Sequence, residues 1–133
     1  MKYKTERNIQ ALVQLALSEH GITNFRNNVG GTKTESGGWV DYGVGGKGGS
    51  DLICVTPVKI TADMVGKTVG VFTAIEVKNK TGSVSVHQQR FIDHITALGG
   101  FAGVARSPKE ALKIASAENI TAHKNGKPSD VKK

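Results

Sequence analysis

The sequence predicts a single α/β domain, and three observations carry that prediction. An amphipathic stripe opens the chain, with Ile9, Leu12, Val13, Ala16 and Leu17 at the i, i+3, i+4, i+7, i+8 spacing of a helix. Two apolar runs at 51–56 and 71–77 have the β-branched content of strands. Between 71 and 105 a helical pattern opened by Ser85 lies between two strand patterns, the strand, crossover helix, strand order that makes the two strands parallel. At 133 residues the chain is long enough for one core and too short for two. The expectation is therefore one domain over residues 1–120 and a basic tail over 121–133.

Each element has its own signals. The first helix spans 5–20, with Gly21 as its C-terminal stop, and places Glu6 three residues before Ile9, near the apolar face. Residues 24–50 are rich in Gly, Asn, Thr and Ser, with extended candidates at 25–29 and 39–42 that read as a hairpin. A strand at 51–56 ends at Pro57, a connecting excursion follows over 58–68, and 71–77 reads as a central strand. Ser85 and Gln88 form a capping box before the stripe Phe91, Ile92, Ile95 and Leu98, which stops at Gly99-Gly100. Residues 101–105 form a short strand. Ser107, Pro108 and Glu110 then open a helix running to about 117. The predicted architecture is a mixed sheet containing a hairpin and a parallel pair, flanked by helices.

Composition narrows the function. Eighteen Lys and Arg face 11 acidic residues, a net charge of +7 that favours polyanionic partners. Cys54 is the only cysteine, so neither an internal disulfide nor a thiolate zinc cluster can form, and a reducing cytoplasm is the expected setting. No apolar run approaches the roughly 18 residues that span a bilayer, so no membrane partner is expected. In the tail, Lys124, Lys127, Lys132 and Lys133 offer charge for phosphates.

Several motif matches fail on context. Gly43, Gly45 and Gly48 satisfy G-x-G-x-x-G, but a strand follows where a dinucleotide site needs a helix. Gly66-Lys67-Thr68 resembles the end of a P-loop, yet Thr61 stands where its first glycine belongs. The four histidines are scattered, and no serine sits in a nucleophile elbow.

One constellation holds. In a strand, Glu76 and Lys78 project from one face while Ile75 and Val77 project from the other, so an acid and a base share a side. Alone, that pair reads as an edge-strand ion pair. Asp51, at the start of the preceding strong strand, adds a second carboxylate if the two strands lie side by side. Paired carboxylates suit a hard divalent ion, and phosphodiester hydrolysis needs neutralised phosphate oxygens, an activated water and a stabilised leaving alkoxide. A noncatalytic nucleic-acid-binding module would explain the charge but leave Asp51, Glu76 and Lys78 without a task.

From Gly49-Ser50-Asp51-Leu52-Ile53 through Ile75-Glu76-Val77-Lys78 and Gln88-Gln89-Arg90-Phe91 to the strand after Gly99-Gly100, the chain resembles the virus-type replication-repair nuclease (VRR-NUC) domain of the PD-(D/E)XK superfamily. The likeness begins earlier, with the acid-bearing first helix and Arg26-Asn27-Asn28-Val29-Gly30. It implies a restriction-endonuclease-like fold, a mixed central sheet flanked by helices. It also implies that Asp51, Glu76 and the Val77 carbonyl bind Mg²⁺, with Mn²⁺ able to substitute, that Lys78 is the catalytic lysine, and that Glu6 belongs to the site. A glutamine on the helix after E-x-K belongs to the pattern, and Gln89, three residues before Ile92, fits it best beside the capping Gln88. The family's first-motif proline is Ser50 here. The resemblance further implies a homodimer acting on branched DNA, such as four-way (Holliday) junctions or flaps, in the cytoplasm of a bacterial or phage-infected cell.

Overall fold

The computed structural model describes residues 5–122, so the tail lysines lie outside the described residues. The chain divides into two compact units, Met1–Thr56 and Pro57–Lys133.

The first unit opens with α1 (Glu6–Glu19), whose N-cap Thr5 accepts a hydrogen bond from the Asn8 amide. After the helix, Gly21 takes a positive φ of 73°, the left-handed stop expected there. The predicted apolar stripe is present but poorly covered, since Ile9, Leu12 and Val13 remain 45, 46 and 40% exposed. The helix is tied to the next strand by polar groups instead. Asn24 Nδ2 donates to Ser18 Oγ and to the Ile22 carbonyl, and Gln14 Nε2 donates to Asn24 Oδ1.

Strands β1 (Thr23–Arg26), β2 (Gly30–Lys33), β3 (Trp39–Tyr42) and β4 (Leu52–Val55) complete this unit. β1 pairs with β4 and β2 with β3, both antiparallel. The hairpin expected between 25–29 and 39–42 is thus corrected: 39–42 pairs with Gly30–Lys33. Gly30 and Gly31 disguise that strand, because glycine is ordinarily depleted in strands. Here the missing side chains make room for the partner's aromatic rings. A Cβ at Gly30 would lie 2.5 Å from the Tyr42 hydroxyl, and one at Gly31 would lie 2.5 Å from indole carbon Cζ2 of Trp39.

In the second unit a 3₁₀ turn (Ala62–Met64) interrupts the excursion after Pro57, followed by β5 (Thr73–Val77), α2 (Val86–Ala97), β6 (Phe101–Ala105), α3 (Pro108–Ile114) and α4 (Glu118–Ala122). β5 and β6 are parallel, joined by α2 as the crossover helix. The capping box at Ser85 and Gln88 is formed with both arms. Ile92, Ile95, Phe101 and Ala105 are the buried apolar residues of this unit, with Ile95 fully enclosed. Ile114 of α3 lies 3.0 Å from where a Cβ on Gly103 would be, covering the sheet face that Gly103 shares with Ile75. α3 ends at Ile114, short of the expected 117, and α4 then carries helix two residues past the expected boundary at 120.

Backbone pairing among the described residues gives three two-stranded ladders, β1–β4, β2–β3 and β5–β6, in place of the one mixed central sheet expected. Strands of four or five residues offer few ladder bonds. Pro57 lacks an N–H, so it ends the pairing run of β4.

Candidate active site

Strand β5 builds the centre of the site. Its exposure alternates along Thr73–Val77, with Glu76 half-buried and Val77 74% exposed, as the two-residue period demands. Glu76 and Lys78 therefore share a face, and Lys78 Nζ stands 3.6 Å from Glu76 Oε1. The same oxygen accepts a hydrogen bond of 2.8 Å from Gln88 Nε2, at the first turn of α2.

The Gln88 carboxamide works at both ends. Its Oε1 accepts from the Ser85 amide at 3.0 Å, while its own backbone N–H donates to Ser85 Oγ. The capping box fixes the rotamer that reaches Glu76. Gln89, favoured from the sequence, instead donates to Asp93 Oδ1 at 2.9 Å along its own helix, on the exposed side. The difference between the two follows from helix phase: Ser85 as N-cap makes Gln88 the N3 residue, and that position faces β5.

Lys78 is held from behind. Its amide donates to the Ala105 carbonyl at 3.1 Å, extending the parallel ladder one residue past β5. Asn79 Oδ1 then accepts from the amides of Thr81 and Gly82, closing a tight turn. Arg106, just beyond β6, donates through Nη1 to the carbonyls of Asn79 and Gly82 and so clamps the neck of that turn. A Cβ on Gly82 would lie 3.4 Å from Lys78 Cδ, so the turn packs along the lysine stem. Nothing in the local pattern singled out Arg106, because its role depends on β6 ending beside β5.

Asp51 lies in the other unit, exposed in the bend before β4. Its carbonyl accepts from the Asn27 amide at 2.8 Å. The Asn27 side chain organises the glycine-rich loop leading to it: Nδ2 donates to the Val44 and Ser50 carbonyls, each at 2.9 Å, and Oδ1 accepts from the Val44 amide. Asn27 lies in the segment 26–30 that shares the family resemblance, but no local signal marks its side chain, because its partners lie 17 and 23 residues away. Glu6 occupies the first turn of α1 and is exposed, not set against a buried face.

The donors around β5 suit a hard cation. Glu76 Oε2 has no hydrogen bond among the described residues, which leaves one carboxylate oxygen for a ligand. The carbonyl of Phe72 and the amide of Lys78 both bond to β6, so by alternation residues 73, 75 and 77 turn their carbonyls to the opposite edge. Val77 thus presents its carbonyl on the edge of β5 away from β6. No three His, Cys, Asp or Glu side chains gather at one point among the described residues.

A family model described as the VRR-NUC domain matches residues 5–109. The chain belongs to that family. Neither the curated proteins nor the solved structures contain a match. Membership makes this a nuclease-family domain with DNA as its implied substrate, and the mixed α/β architecture agrees with a VRR-NUC domain. Among the described residues no helix is long and apolar enough to cross a membrane.

Proposed function

We propose that this VRR-NUC protein is a Mg²⁺-dependent endonuclease that hydrolyses phosphodiester bonds in branched DNA, acting as a homodimer. The observation that carries the reading is the constellation on β5 and α2, where Glu76 is braced by Gln88 at 2.8 Å and faced by Lys78 at 3.6 Å. A purely structural ion pair would not need an amide to orient its carboxylate or a clamped turn to seat its lysine.

Asp51, Glu76 and the Val77 carbonyl are the residues that would hold the ion. When bound, Mg²⁺ or Mn²⁺ supplies charge neutralisation at the phosphate and lowers the pKa of a water. Lys78 orients that water and, as a cation, stabilises the charge that builds on the phosphorus oxygens. The attacking water would give up a proton to solvent as its oxygen bonds to phosphorus, one ester P–O bond would break, and the leaving alkoxide would take up a proton from solvent. Gln88 keeps Glu76 in place throughout, and Arg106 holds the turn that seats Lys78. Glu6 acts from a more distant rank.

The test is single-turnover cleavage of a labelled junction in Mg²⁺. Asp51→Ala, Glu76→Ala and Lys78→Ala should each abolish cutting while folding and DNA affinity persist, because these groups act on the transition state. Glu6→Gln should have a smaller effect. Full cutting by Asp51→Ala would refute the assignment, and a wild-type protein that binds DNA but never cuts would favour the noncatalytic binding module.

A further inference from the structure

Trp39 is the chain's only tryptophan and remains 61% exposed, on the hairpin β2–β3 and far in sequence from Glu76 of β5. A solvent-exposed indole is usually mobile, but this one is fixed twice. Its Nε1 donates to Asp41 Oδ1 at 2.7 Å, two residues along the same strand and on the same face. Its ring lies across the backbone of Gly31, where a Cβ would sit 2.5 Å from Cζ2 and 2.6 Å from Nε1. One ring face is thus seated on glycine and the other is left to solvent.

The register adds a charge. Lys33 stands opposite Trp39 in the ladder, so its ammonium shares the face with the ring. Lys33 is exposed and forms no ion pair among the described residues. A flat immobilised π-face beside a free cation matches one unit of a nucleic-acid strand, a base and its phosphate. We propose that Trp39 is a stacking platform for an unpaired nucleobase, with Lys33 meeting the adjoining phosphate. A self-contact fits the same face poorly, because protein interfaces of about 800 Å² per partner place apolar residues at their centre and exclude charges. Here Lys33 and Asp41 flank a single ring. The proposal rests on the reading that DNA is the substrate, and it deepens that reading by assigning the unpaired bases of a branch their own site.

The single indole allows a direct measurement on the intact protein. Oligothymidylate is titrated into wild-type protein in EDTA, following tryptophan emission, while the anisotropy of a labelled copy of the oligonucleotide reports binding. Emission should quench in parallel with binding and saturate with it, and a matched blunt duplex should quench less. Trp39→Ala should weaken single-strand binding by about fivefold or more, the lower range for losing one base–aromatic stack, with Trp39→Phe retaining part of it. Binding without any change in emission would overturn the platform and leave the nuclease reading intact. Emission that shifts with protein concentration before DNA is added would place Trp39 in a self-contact and also overturn it. Absence of any DNA binding would overturn both.

Discussion

The Gln88 carboxamide joins a helix cap to the Glu76 carboxylate, proposed here as catalytic, and the two tasks constrain each other. Its oxygen is held by the Ser85 amide and its nitrogen by Glu76, so neither end can rotate without breaking a bond. Gln88→Ala should therefore slow single-turnover cleavage by roughly 10- to 100-fold, the cost of removing a group that orients the proposed metal ligand. Gln89→Ala should stay near wild type, since its amide reaches only Asp93. Equal losses from both variants would return Gln89 to the site. At this scale the shared face of Glu76 and Lys78 was legible, because a period of two needs no tertiary information. The choice between adjacent glutamines was not. The capping box could be read from Ser85 and Gln88, yet nothing local says that the N3 side chain of α2 meets β5.

Among elements, the loop from Gly43 to Asp51 is shaped from outside itself. Gly43, Gly45, Gly46 and Gly48 all take positive φ, so the segment has little intrinsic preference for one path. The Asn27 side chain selects that path through three hydrogen bonds to Val44 and Ser50. Asn27→Ala should cost about 1–3 kcal/mol in a urea melt, since it leaves loop amides and carbonyls unpaired. It should also lower cleavage, because Asp51 follows directly from Ser50. An Asn27→Ala protein with an unchanged midpoint and rate would show the loop to be ordered by other contacts. Helix signals were legible here because caps and stripes are local: Ser85 and Ser107 both cap the helices they were expected to open. Strand pairing was not, since β1 joins β4 across 25 or more intervening residues and β2 hides behind two glycines.

At the scale of the whole molecule, α1 supplies the argument for a dimer. Its stripe was legible as amphipathic, but sequence alone could not say how little of the face its own unit would cover. Ile9, Leu12 and Val13 are 40–46% exposed, and Leu15 beside them is 55% exposed. An apolar helix face in a chain of net charge +7 needs a cover that is itself apolar, and a second copy offers an identical one. A two-fold axis through this face would make the contact isologous, each stripe packing on its twin. The same axis would give two sites for the opposed strands of a four-way junction, which a single site cannot cut in one encounter. Leu12→Glu should then yield a monomer by light scattering at micromolar concentration. That monomer should nick a junction but lose paired incision of its two strands, with Asp51, Glu76 and Lys78 unaltered. A wild-type protein that scatters as a monomer and cuts junction, flap and linear duplex equally would remove both the dimer and the branch preference, while leaving the chemistry of β5 in place.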